Sequence, residues 1–138
     1  MGQQLAEARV WQVGMVDRRR RPRDVTAGTK PVDLAYLGRF TFADRELERE
    51  VLYLFAQSIQ GYVAALAAAA DDAAWQRAAH TIKGSARAVG AWRVARMAET
   101  AERIGFAAGA DRRSHAVDLI SEAADEATGF IVRVFPET

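Results

Sequence analysis

A chain of 138 residues, half of them hydrophobic and with 19 basic against 18 acidic side chains, can build one domain core and carries almost no net charge. It has no cysteine, which excludes disulfides, thiolate metal sites and cysteine nucleophiles. Alanine dominates the hydrophobic half, and the three prolines at 22, 31 and 136 leave the span 32–135 uninterrupted, so an all-helical domain is expected rather than a sheet.

Residues 1–31 read as a basic, flexible arm. Up to Pro31 seven Lys or Arg residues face three acids, whereas the remainder holds twelve basic and fifteen acidic residues. Arg18-Arg19-Arg20-Arg21-Pro22-Arg23 is a self-repelling charge run, and Thr26 to Pro31 is linker-like. Leu5 to Val16 could form a short helix, weakened by Gly14. The arginine run could contact nucleic acid or anionic lipid, but 32–138 shows no companion basic face, so a solvated tail is the preferred reading. The polar residues Gln3, Gln4, Glu7, Arg9 and Gln12 interrupt any secretory signal, and no apolar run reaches the ~20 residues that span a bilayer. A soluble, cytoplasmic monomer without membrane contact is expected.

After Pro31 the sequence becomes periodic. Val32 to Leu37 suggests a short helix anchored by Leu34 and Leu37. Asp44 is placed to cap the next helix, with Leu47 as its partner three residues on. There Leu47, Val51, Leu54, Phe55, Ile59, Tyr62, Val63 and Leu66 recur at i+3/i+4 spacing. Asp71 or Asp72 starts a third helix that runs through His80 to Val89 and stops at Gly90. A fourth spans about Ala91 to Ile104, with Trp92 (or Val94), Met97, Ala98, Ala101 and Ile104 inside. A fifth spans Asp111 to Val134 on Val117, Ile120, Ala124, Ala127 and Ile131. Short connections between the long helices favour an antiparallel, up-down four-helix bundle over 32–138, with the short N-terminal helix added to it.

The third helix carries the chemistry. At ~100° per residue, Trp75, Ala78, Ala79, Ile82, Ala86 and Val89 fall on one face centred opposite His80. Gln76, Arg77, Lys83, Gly84 and Arg87 fall within about 60° of His80. His80 is therefore expected in water, amid a polar stripe, because burying it would turn the apolar face outward. Gly84 costs ~1 kcal/mol relative to alanine inside a helix and so invites a reason for its use. At i+4 from His80 it lowers the surface where another protein could approach, while Gly90 already supplies a helix stop. Lys83, at i+3, can reach an anion on the imidazole, and Arg87 extends the positive potential. Gln76, Arg77 and Arg87 are the expected binding residues around this set. Imidazole, with an unperturbed pKa of about 6.5, is largely neutral and nucleophilic near neutral pH. There is no GxxxxGK[ST] or GxGxxG loop and no carboxylate cluster beside His80 to hold Mg²⁺. For phosphoryl transfer, the phosphoryl donor, the metal and the acidic pocket must then belong to partner proteins, so no cofactor is expected, and a transfer intermediate is expected rather than an enzyme.

Ala79-His80-Thr81-Ile82-Lys83-Gly84-Ser85-Ala86, followed by Val89-Gly90-Ala91, resembles the signature of histidine-containing phosphotransfer (HPt) domains of bacterial phosphorelays. The likeness runs from about Val32 to the C-terminus and includes the helix with Phe55 and the stretch Ala98 to Glu102. It implies a four-helix bundle in which His80 takes a phosphoryl group from a receiver-domain aspartate and returns it to another. It further implies that Lys83 stabilises that group and that Gly84 gives the receiver room. The partners implied are receivers of a hybrid histidine kinase and of a downstream regulator. Two other functions are compatible with the residues: a helical adaptor that binds receivers without being phosphorylated, and a nucleic-acid-binding bundle using the arginine arm. His115, beside Arg112 and Arg113, lacks a lysine–glycine pair and reads as a surface residue. Trp75 reads as packing.

Overall fold

In the computed structural model, which describes residues 30–137, three of the five α-helices begin where an aspartate can cap them. Asp33 Oδ1 accepts from Tyr36 N and opens α1, Leu34–Thr41. Asp44 Oδ1 accepts from Glu46 N and Leu47 N and opens α2, Arg45–Ala67. Asp71 Oδ1 accepts from Ala74 N at 2.8 Å and opens α3, Asp72–Val89. Each bond satisfies amides that have no partner within the helix, worth ~1 kcal/mol apiece. The remaining two, α4 (Trp92–Ile104) and α5 (Ala110–Val134), lack a side-chain cap and start instead after glycines that turn the chain. A 3₁₀ turn, Phe106–Ala108, joins them. There is no strand among the described residues.

The four long helices pack as a ring: α2 against α3 and α5, and α4 against α3 and α5. Short α1 lies on α2 and α3. Leu52, Phe55, Ile59, Val63 and Leu66 from α2 meet Trp75, Ala79, Ile82, Ala86 and Val89 from α3 in the core. Val94, Ala95, Ala98 and Ala101 of α4 and Ile120, Ala124, Ala127 and Ile131 of α5 complete it. Each large apolar side chain buried here contributes roughly 1.5–3 kcal/mol. The α5 end is closed by Phe135, whose ring lies under the Arg45 guanidinium at 4.4 Å and whose carbonyl accepts from Tyr53 Oη.

Several expected positions move. In α2 the inward stripe includes Leu52 rather than Leu47 or Leu54, which are 40% and 62% exposed. Both lie more than about 100° from the line through Phe55, Ile59 and Val63, so i+3/i+4 spacing alone linked two different faces. Glu48 occupies the core side of the first turn, where its Oε2 accepts from the buried Thr41 hydroxyl at 2.9 Å. In α4 Val94, not Trp92, is the core residue; Trp92 is half-buried and its Nε1 donates to Asp33 Oδ2. In α5 Ala116 is buried and Val117 only partly so.

The arginine run and the Leu5–Val16 segment lie outside the described residues. No helix among the described residues is long and apolar enough to cross a membrane.

Candidate functional site

Helix α3 fixes the site because its apolar face is fully committed. Trp75, Ala79 and Ile82 are 1%, 0% and 0% exposed, so the opposite face must meet solvent. His80 stands there with 68% of its side chain exposed, as the helical projection requires. The helix continues unbroken through Gly84 and ends at Gly90, whose φ of +79° suits a left-handed terminus. A Cβ built on Gly84 would meet nothing within 4 Å, so the fold itself does not require glycine there. The hollow beside His80 faces outward.

A carboxylate that the sequence reading did not single out completes the constellation. Glu102, on the last turn of α4, places Oε2 3.3 Å from His80 Nδ1 and Oε1 2.6 Å from Lys83 Nζ. Small residues line this approach: Ala79 and Ala86 on α3 and Ala95, Ala98 and Ala101 on α4 are all buried. Glu102 follows Ala101 directly and so sits at the edge of that seam, where its side chain reaches α3. A carboxylate is an acceptor, so its bond to the ring puts the proton on Nδ1. Nε2 is then left with its lone pair, and no protein group among the described residues bonds it.

Lys83, expected to reach an anion on the imidazole, is engaged by the carboxylate instead. Only 15% of its side chain is exposed, and its charge is held against Glu102, which is itself 19% exposed. The pair neutralises the carboxylate beside the imidazole and keeps a cation next to the ring.

The three expected binding residues separate. Gln76 turns towards α4: its Nε2 donates to the Glu102 main-chain oxygen at 3.0 Å and to Asp72 Oδ1 at 3.4 Å. Arg87 also turns that way, with a guanidinium nitrogen 3.9 Å from Glu99 Oε2. Arg77 alone stays on the open side, lining with Tyr62, Ala65, Ala74, Ala78 and Thr81 a shallow groove between α2 and α3. Thr81 keeps its hydroxyl on the Arg77 carbonyl at 2.9 Å. His115 is exposed on α5, away from this set. Trp75 is core, and its Nε1 donates to Ala101 O at 2.8 Å. Among the described residues no group of three or more His, Asp or Glu side chains could hold a metal ion.

Glu102 was missed because its partners lie 22 and 19 positions earlier, on another helix, and no local spacing links them. The available signal was its place in the stretch Ala98 to Glu102 that shares the family likeness. A family model described as Hpt domain matches residues 50–129, more than half of the chain and all of the residues just described. No curated protein and no solved structure matches the chain.

Proposed function

Since the chain belongs to the Hpt domain family, whose members carry phosphoryl groups between proteins of two-component systems, we propose that His80 is its phosphoacceptor. The observation that carries this reading is the exposed imidazole whose Nδ1 is engaged by Glu102 while Nε2 has no protein partner among the described residues. In the step proposed, the Nε2 lone pair attacks the phosphorus of a receiver's aspartyl phosphate. The N–P bond forms, the P–O bond to the aspartyl carboxylate breaks, and that carboxylate leaves as the anion. The ring keeps its Nδ1 proton throughout, and positive charge gathered on the imidazole is stabilised by Glu102. Reversal onto a second aspartate regenerates neutral His80, so the chain acts as a carrier and not as a kinase.

Lys83 compensates the negative charge that Glu102 and the arriving phosphoryl group bring together. Gly84 leaves the docking face low, and Arg77 with the Tyr62–Ala78 groove extends it towards α2. Partners on this reading are receiver domains of a hybrid kinase and of a downstream regulator, met in the cytoplasm by a monomeric carrier. The short links and the ring of helix contacts support an antiparallel up-down order for the bundle. Residues 32–138 are then the carrier domain and 1–31 an appended arm.

The reading is tested by mixing the protein with a phosphorylated receiver. The expected result is an acid-labile, alkali-stable label on the parent chain and none on H80Q. Equal labelling of H80Q would remove His80 from the role. A receiver that binds but never transfers its phosphoryl group would favour the adaptor function instead.

A further inference from the structure

Glu102 stands near the end of α4, three residues before Gly105, where the backbone leaves the helix with φ +72°. The last carbonyls of a helix have no amide to accept from the next turn, and terminal turns open at low free energy. A side chain that must hold an imidazole is poorly served by such a position unless something else pins the turn.

The first turns of α3 supply three pins. Trp75 Nε1 donates to Ala101 O at 2.8 Å, buried in the core. Gln76 Nε2 donates to Glu102 O at 3.0 Å. Asp72 Oδ1 accepts from Phe106 N at 3.0 Å, just past the turn, and also from Gln76 Nε2 at 3.4 Å. Both amide hydrogens of Gln76 are thus used, one on each side of the α3–α4 seam. Of the three, only the Gln76 bond is made to the main chain of Glu102 itself. Gln76 lies one turn before His80 on the same helix, so it ties the backbone that carries the carboxylate to the helix that carries the ring.

We propose that Gln76 is a positioning residue for phosphoryl transfer: by holding the Glu102 main-chain carbonyl it sets the Glu102 carboxylate against His80 Nδ1 and so selects the Nδ1–H tautomer. The inference rests on His80 being the phosphoacceptor, and it replaces receiver docking as the reason for Gln76. Losing the bond lets the α4 terminus fray, lengthens the Glu102–His80 contact and returns the ring to a mixture of tautomers. The fraction with a free Nε2 lone pair falls.

The test measures the ring directly and bypasses docking. His80 ¹⁵N shifts report the tautomer, and labelling by phosphoramidate, a small phosphoryl donor, reports reactivity without a receiver. In Q76L, which keeps size but loses both donors, the Nδ1–H fraction should fall and phosphoramidate labelling should slow by roughly tenfold, about the effect of one charge-assisted hydrogen bond. Q76N, too short to span the seam, should behave in the same way. Q76K, which restores a donor of sufficient length, should recover most of both signals. Parental ¹⁵N shifts and phosphoramidate rate in Q76L and Q76N would overturn the proposal, as would a loss confined to transfer from receivers. If receivers fail to label even the parent chain while the ring shifts still respond to Q76L, the positioning role stands and the relay reading fails.

Discussion

The Glu102 carboxylate on α4 lies 3.3 Å from His80 Nδ1 on α3, so the ring that faces solvent is oriented by a residue from the neighbouring helix. The same carboxylate holds Lys83 at 2.6 Å, and the three side chains form one charge-compensated unit. The exposed imidazole is therefore not a loose surface histidine. Packing between two helices gives its two nitrogens different surroundings.

Removing the orienting group should slow acceptance without unfolding the protein. E102A is expected to lower the rate of labelling from a phosphorylated receiver by about tenfold, the size of a lost hydrogen bond to a charged group. E102Q, whose amide oxygen can still accept from Nδ1–H, should lose less. Rates measured by quenched-flow labelling check this, and an unchanged rate in E102A would leave the Glu102 contact without function.

Lys83 and Glu102 should be energetically coupled. Because both are less than one-fifth exposed, K83A leaves a poorly solvated carboxylate and should cost about 1–3 kcal/mol in urea unfolding. A double-mutant cycle of K83A with E102A should return a coupling of at least ~0.5 kcal/mol. Additive losses would mean that the ion pair is decoration.

Gly84 separates stability from docking. With no atom within 4 Å of its built Cβ, G84A should raise stability by ~1 kcal/mol through helix propensity alone. G84L should keep the helix content yet block transfer from receivers, while phosphoramidate labelling of His80 persists. Normal receiver transfer in G84L, measured beside circular dichroism, would contradict the docking hollow.

Gly90 is fixed by the fold. Its φ is +79°, and an added Cβ would come within 3.0 Å of Asp33 O and 3.1 Å of Asp33 Cβ, at the point where Asp33 N donates to Gly90 O. G90A should cost ~2 kcal/mol or more, the left-handed penalty plus displacement of α1. The two glycines at 84 and 90 thus respond in opposite directions to the same substitution, which thermal unfolding reads directly.

The sequence was most informative about single helices. Asp44 as a cap, Gly90 as a stop and His80 opposite the α3 core follow from local spacing, and the structure bears each of them out; between Asp71 and Asp72, which local spacing left open, it selects Asp71 as the cap. Relations between helices were not legible. The pattern in α2 had enough leucines for two faces, and only packing against α3 and α5 selects Leu52 over Leu54. Gln76, Lys83 and Arg87 share a polar stripe with His80, but the sequence does not show that α4 offers acceptors along it at Glu102 and Glu99. A projection places side chains relative to their own axis, whereas a site built across a seam depends on the neighbour's register.

The most direct measurement is the position of the phosphoryl group on the ring. After labelling from a receiver, ³¹P–¹H correlation and ¹⁵N shifts should place phosphorus on Nε2 of His80, with Nδ1 still protonated towards Glu102. Phosphorus on Nδ1, or on any residue other than His80, would contradict the account.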